Sequence, residues 1–420
     1  MENALVTGLA RQLFLRSLEH LQQGFLELVY QDKSYFYGRR EDPLNAVLAV
    51  HNNRFFEMAL AGGDIGVGES YQEGDWSTPD LVSVIRFGIR NLEQLENTHS
   101  LLKTFKRWTD VYSHRRNRNT RKGSKRNIAH HYDLGNDFYR LFLDDSLAYS
   151  CAYYDHDKPD DSLGSAQRRK FDLICQKLGL NAQDHLLEIG TGWGGFALYA
   201  VQNYGCRVTT TTISRNQHEY ARDLISQRGF ADERVALLLD DYRNLRGQYD
   251  KIVSSEMFEA VGHEYYDEYF AACDRLLKPD GSMLLQTITI QEQRFAEYLR
   301  QSDWIRKHVF PGAELASVAE ILRSLARVTR MQLFDLEDIG MHYVLTLREW
   351  RRRFLDNVSK VRSLGFAEGF VRMWDYYLAY CEAAFSERYI SNVQLLISKL
   401  TRKNLRIPSS GDQTVVRHVR

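Results

Sequence analysis

The chain has 420 residues, 44% of them hydrophobic, with 55 basic and 55 acidic side chains and a formal net charge of zero. That length holds two domains or one enlarged domain with a substantial core, and the neutral balance argues against a nucleic-acid-binding protein. No apolar run approaches the ~18 residues of a membrane span, the amino end with Glu2 does not read as a signal peptide, and five scattered cysteines without a CxxC pair or metal-ligand spacing predict reduced thiols in the cytoplasm and no metal.

Phe14, Leu18, Leu21 and Phe25 recur in steps of four, three and four, which predicts a helix over residues 4 to about 23. Residues 25–37 alternate like a hairpin of strands. Asn45 to Ala61 is predicted helical, stopped by Gly62 and Gly63. Gly66 to Tyr71 is predicted as a turn into a helical stretch from about 80 to 108. Residues 1–113 therefore read as a small, mainly helical domain. A basic linker, 114–130, follows. It carries Arg115, Arg116, Arg118, Arg121, Lys122, Lys125 and Arg126 with no acid between them. Such a run is a solvated connector or a contact for an anionic surface. Anionic lipid headgroups would add about 1 kcal/mol per basic residue near the surface. Residues 131–400 form the second domain. From about 165, strands near 184–189, 206–212, 234–239, 249–254 and 282–289 alternate with helices. That alternation predicts an α/β fold with a mainly parallel, helix-covered sheet. Stretches near 330–335 and 341–347 are predicted to close one edge as a hairpin, which makes seven strands. Residues 348–400 read helical, and 401–420 read as a mobile basic tail.

The most informative segment is the turn between the strand His185–Ile189 and the helix that begins near Phe196. Gly190, Gly192 and Gly195 let the backbone bend sharply and let a ligand approach it closely. The turn stands at the carboxyl end of a strand, where open α/β sheets bind nucleotides. The spacing also fits the dinucleotide fingerprint. Against a nicotinamide cofactor, Glu188 precedes the first glycine by two residues, where a dinucleotide strand is apolar. The next strand, Arg207–Thr212, ends without the acid that would hold a ribose. An acid-Ile-Gly-x-Gly turn instead resembles motif I of S-adenosylmethionine methyltransferases.

Several segments in order then resemble the cyclopropane-fatty-acyl-phospholipid synthase family and its relatives that modify mycolic acids. They are Gly66–Trp76, His131–Tyr139, Tyr149–Tyr153, Gly190–Gly195, Thr212–Gln217, Asp241–Arg243, Met257–Gly262 and Phe310–Gly312. The front segments match the longer, phospholipid-acting members, in which the front domain handles lipid. The resemblance implies a seven-stranded Rossmann-like sheet and S-adenosylmethionine as cofactor. It implies methyl transfer to the cis double bond of an unsaturated phospholipid acyl chain. The resulting carbocation loses a proton to bound bicarbonate and closes a cyclopropane. An alkene is a poor nucleophile, so such an enzyme must supply alignment, a dry cation-tolerant pocket and a base near the new methyl group. Methylene or methyl branching of unsaturated acyl chains, or of another lipid with the same cofactor, is the alternative. A catalytically inactive lipid-binding protein is the rival of another class, against which the intact turn, Glu259 and Tyr343 all speak.

Carried over by motif, the cofactor contacts are Tyr149, Ser150, Gly190, Gly192, Thr212, Gln217 and Asp241, with Glu188 orienting the loop or meeting a cation. Asp241 has capping a turn as its plainer role. The bicarbonate pocket is Cys151, Glu259, Ile288 and Tyr343, with Gln286 donating a hydrogen bond. Glu259 sits among Met257, Phe258, Ala260 and Val261, a costly place for a carboxylate without partners. Two positions depart from the family pattern: Ala260 and Gln286 both stand where histidine is expected, and a glutamine cannot titrate near neutral pH. The expected setting is cytoplasmic, peripheral on the inner membrane face, with a homodimer left open.

Overall fold

The computed structural model describes residues 2–98, 134–155, 157–158, 161–230 and 234–399. The basic run, the start of the His131–Tyr139 segment (His131 to Asp133) and the carboxyl-terminal tail lie outside the described residues. Two compact units interleave along the chain. One comprises residues 1–143, 289–317 and 340–391, and the other 144–288, 318–339 and 392–420. These units differ from the continuous 1–113 and 131–400 expected above. Chain order does not reveal which core a later helix joins.

The first unit holds strands β1 (Phe25–Tyr30), β2 (Lys33–Gly38), β3 (Asn45–Val50) and β4 (Trp76–Ser77), ordered β2-β1-β3-β4. The β1–β2 hairpin is as expected. Residues 45–50 are not helical: β3 runs parallel to β1, with Ala46, Leu48 and Val50 facing inward in the two-residue rhythm of a strand. Pairing with β1 overrides the helix propensity of Ala and Leu. The helix begins later, at Arg54–Gly62. The predicted turn at Gly66–Tyr71 is also a helix, Asp64–Gln72. Its glycines serve close approach, since a Cβ on Gly66 would lie 1.8 Å from the Met58 carbonyl oxygen and one on Gly68 2.4 Å from the Trp304 ring. Helix Glu368–Ser386 crosses this helix and also helices Leu81–Arg90 and Gly340–Asp356. Asp375 accepts from Tyr71 Oη at 2.9 Å and from Arg351 Nε at 2.7 Å.

The second unit is built on the expected α/β sheet. Its strands are β5 (His185–Ile189), β6 (Arg207–Thr212), β7 (Val235–Leu239), β8 (Tyr249–Ser255), β9 (Leu277–Ile290), β10 (Gln332–Asp338) and β11 (Ile390–Ser398), ordered β10-β11-β9-β8-β5-β6-β7. Strands β5 to β9 pair in parallel. Leu186, Leu187, Val208, Ile252, Val253, Leu284 and Leu285 are each at most 1% exposed, as fits parallel strands covered on both faces. Helices Leu163–Leu178 and Gly195–Tyr204 pack together, with Phe171, Ile174, Ala197 and Val201 in the core. Ser162 caps the first through Ser165 N, and Ser214 caps helix Arg215–Gln227 through Gln217 N.

The edge hairpin differs from expectation. β10 is present, but residues 340–356 are helical, and the antiparallel partner of β10 is β11. In 341–356 the buried positions 342, 343, 344, 346, 347, 350 and 354 recur with helical spacing. The true partner is the strand around Val393, too distant in sequence for local pattern to find.

Candidate active site

The parallel order places the carboxyl ends of β5, β6, β7, β8 and β9 along one edge. The chain reverses its strand order between β5 and β8, the switch point where such sheets take ligands. The glycine turn leaves β5 there. Gly190, Gly192 and Gly194 have φ of 103°, 52° and 88°. The turn is tightly seated at its end, where a Cβ on Gly195 would meet the Ser146 carbonyl oxygen at 2.6 Å. Around Gly192 there is nothing within 4 Å of a Cβ position. Beneath the turn, Glu188 is 5% exposed. Its Oε2 accepts from Thr210 Oγ1 at 2.5 Å, and Thr210 also bonds Thr191 Oγ1 at 2.7 Å. Burial pushes its carboxyl up to about 8, opposed by the Thr210 bond and the charge of Lys170. Glu188 thus braces the loop from below.

Thr212 ends β6 and donates to Gln217 Oε1 at 3.0 Å, while its Oγ1 accepts from Ser214 N at 3.1 Å. A hydroxyl and an amide held side by side suit the hydroxyls of a ribose. Asp241 follows β7 and turns to Arg243: Oδ1 accepts from Arg243 Nε at 2.8 Å and Oδ2 from Nη2 at 2.6 Å. It also caps the short helix Tyr242–Asn244, the plainer of its two roles. Tyr149 and Ser150 stand in the segment before helix Leu163–Leu178. Ser150 Oγ accepts from Lys170 Nζ at 2.7 Å, and Gln167 Nε2 holds the Ser150 carbonyl at 2.8 Å. Lys170 is 1% exposed, and burial pulls its ammonium down to about 8. Sequence reading missed it; inside an ordinary amphipathic helix nothing marks it.

The second half of the site is the turn after β8. Glu259 lies in the short helix Phe258–Ala260. Its Oε1 accepts from Ile288 N at 2.5 Å and from Thr287 Oγ1 at 3.0 Å. Its Oε2 is buried and has no hydrogen-bond partner in the protein. Burial, and then the charge of Glu256, push this carboxyl up to about 7. The turn borders the glycine loop, since a Cβ on Gly190 would sit 3.2 Å from Met257 Cβ.

Glu256, not anticipated from the sequence, is the centre of a buried polar cluster. Its Oε1 accepts from Cys151 N at 2.9 Å, from Gln286 Nε2 at 2.8 Å and from Asn392 Nδ2 at 2.7 Å. Gln286 Oε1 accepts from Gln394 Nε2 at 2.9 Å, and Gln394 Oε1 from Lys177 Nζ at 2.8 Å. The signal for Glu256 was a second acid three residues before Glu259; Asn392 gave none. Cys151 is fully buried, its Sγ near the Ala152 carbonyl oxygen at 3.2 Å. Tyr343 belongs to the other compact unit. It lies on helix Gly340–Asp356 and is buried against Phe385, with ring centroids 4.5 Å apart.

S-adenosylmethionine suits these residues: an open left-handed glycine turn at the switch point, with polar pairs at the ends of the next strands. Bicarbonate does not suit the place expected for it. Gln286 and the Cys151 amide are turned to a carboxylate of the protein, and Gln286 has its carbonyl bound as well. Gln286, expected to donate to a bound bicarbonate, donates instead to Glu256 Oε1. Among the described residues, no group of three or more His, Cys, Asp or Glu is placed to hold a metal.

The sheet order and the glycine turn define an S-adenosylmethionine-dependent methyltransferase. The fold likeness reaches coclaurine N-methyltransferase bound to S-adenosylhomocysteine, at TM-score 0.60 but only 18% identity. The family model for mycolic acid cyclopropane synthetase matches residues 89–395, and the chain belongs to that family. It is 36% identical over 403 residues to tuberculostearic acid methyltransferase UfaA1 of Mycobacterium tuberculosis, covering 93% of this chain and 91% of that one. It is 37% identical over 366 residues to the cyclopropane-fatty-acyl-phospholipid synthase of Escherichia coli K12, covering 86% and 90%. Among solved structures, mycolic acid cyclopropane synthase CmaA1 complexed with S-adenosylhomocysteine matches at TM-score 0.60 and 33% identity, over 66% of this chain and 98% of that one. The protein is thus a lipid-methylating enzyme of the cyclopropane synthase type.

Proposed function

We propose that the enzyme methylates the cis double bond of an unsaturated phospholipid acyl chain and closes it to a cyclopropane. The observation that supports this reading is the carboxylate turn after β8 lying against the glycine loop, where a base would stand near the cofactor. S-adenosylmethionine supplies the electrophilic methyl. Gly190 and Gly192 admit it, Thr212 and Gln217 hold its ribose, Tyr149, Ser150 and Asp241 complete the cradle, and Glu188 braces the loop. The acyl chain donates its π electrons to that methyl. Likeness to the phospholipid-acting synthase over most of both chains supports the substrate.

We place the enzyme peripherally on the inner, anionic membrane face, held through Arg115 to Arg126. Among the described residues no helix is long and apolar enough to cross a membrane. A second reading, methyl or methylene branching without a ring, is favoured by the likeness to a tuberculostearic acid methyltransferase over 93% of this chain. Expression in a bacterium lacking its own synthase, followed by mass spectrometry of the acyl chains, separates the two. A chain heavier by one methylene that resists hydrogenation is the ring; a hydrogenated one is a methylene branch. A product carrying a full methyl branch, or no product, refutes cyclopropane formation.

A further inference from the structure

We propose that Glu256 is the base that takes the proton in ring closure, a carboxylate of the chain itself where the resemblance implies a bound bicarbonate. The inference rests on the methyl-transfer reading above and names the group that completes it.

Three N–H donors from three separate segments converge on one carboxylate oxygen: the Cys151 amide, the Gln286 side chain and the Asn392 side chain. That is a pocket for an oxyanion, and the oxyanion in it is Glu256. The backbone gives a second sign. Glu256 has φ of 50°, in the left-handed region that costs an ordinary residue about 1 kcal/mol or more. Its amide is fixed by the Gln286 carbonyl at 2.7 Å. Strain of this kind persists where the surrounding bonds hold a side chain to a task. The place is right as well, at the carboxyl end of β8, one residue from Met257, which abuts Gly190.

Of the two acids in this turn, Glu259 is the less suited to accept a proton. Burial and the charge of Glu256 raise its carboxyl, so it already carries a proton for much of the time near neutral pH. Its Oε1 is committed to Ile288 N and Thr287. Glu259 is a positioning residue for the turn. Gln286 and Asn392 are positioning residues for Glu256, and Gln394 and Lys177 hold Gln286 in turn.

The step balances. The π electrons of the alkene form the first carbon–carbon bond to the methyl carbon, and the carbon–sulfur electron pair leaves with sulfur. A C–H bond of the new methyl group then breaks. Its electron pair becomes the second ring bond, and its proton passes to the Glu256 carboxylate, which later returns it to water.

The test uses the full-length enzyme with vesicles of unsaturated phospholipid, in degassed buffer with and without added bicarbonate. Glu256→Gln is expected to bind S-adenosylhomocysteine like the wild type and to lose about 10²-fold or more in turnover, the usual worth of a general base. Wild-type turnover is expected to be indifferent to bicarbonate. Glu256→Gly relieves the backbone and empties the pocket while leaving its three donors. Its turnover is expected to be low and to rise on adding bicarbonate or formate. Three results overturn the assignment: Glu256→Gln within threefold of wild type, wild type stimulated severalfold by bicarbonate, or Glu256→Gly beyond rescue by either anion. A wild type that methylates without closing a ring refutes the proposed product instead, and the same variants still judge Glu256 as the acceptor of the proton lost.

Discussion

Replacing Glu259 by Gln tests how dry the carboxylate turn is. The amide has the same shape, and its oxygen still accepts from Ile288 N and Thr287 Oγ1. Only the ability to ionise is lost. In the wild type, burial and Glu256 raise this carboxyl from 4.5 to about 7. Each tenfold change in proton affinity is worth about 1.36 kcal/mol, so ionising Glu259 in the fold costs on the order of 3 kcal/mol. The folded protein binds the proton more tightly than the unfolded chain. The stabilisation is therefore full below about pH 4.5, where both forms carry the proton, and is lost as pH rises through about 7. Glutamine carries no such dependence. Urea unfolding of both proteins at pH 5 and pH 8 should show the variant gaining on the wild type by roughly 2–3 kcal/mol as pH rises, since the titrating groups not coupled to Glu259 cancel. Turnover at pH 5, where the wild-type carboxyl is also neutral, should stay within a few-fold of wild type, with S-adenosylhomocysteine affinity unchanged. Stability curves that run parallel would refute the dry environment, and a loss of turnover at pH 5 as large as that of Glu256→Gln would refute the positioning role of Glu259.

Gly192→Val should abolish calorimetric binding of S-adenosylhomocysteine, because a β-branched residue resists a φ of 52° and its side chain fills the open space beside the turn; unimpaired binding would undo the cofactor assignment. Gly195→Ala sets a Cβ 2.6 Å from the Ser146 carbonyl oxygen, so the melting temperature should fall with a loss of about 1–3 kcal/mol. Gln286→Leu removes a donor to Glu256 and strands Gln394. Its turnover should drop about tenfold or more, as a hydrogen bond to a charged group is worth roughly 1.5–3 kcal/mol; a rate equal to wild type would make Gln286 mere packing. Neutralising the seven basic residues from Arg115 to Arg126 should weaken sedimentation with anionic vesicles, and wild-type binding should fall with salt as screening tightens to ~10 Å at 0.1 M; equal binding would leave that run a plain connector.

The sequence by itself determined whatever is local. The glycine turn declares itself because a sharp bend needs those residues at those steps, and the five parallel strands because short apolar or β-branched runs alternate with helical stretches. The motif residues at the strand ends, Thr212 with Gln217 and Glu259 with Ile288, do meet as their segments suggested. Tertiary structure decided what depends on partners distant in the chain. β3 is a strand because β1 lies beside it, and β10 closes the edge with β11 rather than with the residues that follow it. Which core residues 289–317 and 340–391 join was equally invisible, because packing is settled by faces that meet only after folding. The same holds for the site: Glu256 is an unremarked acid in the sequence. It becomes the centre of the cluster only when the sheet brings Cys151, Gln286 and Asn392, from three distant segments, onto one of its oxygens.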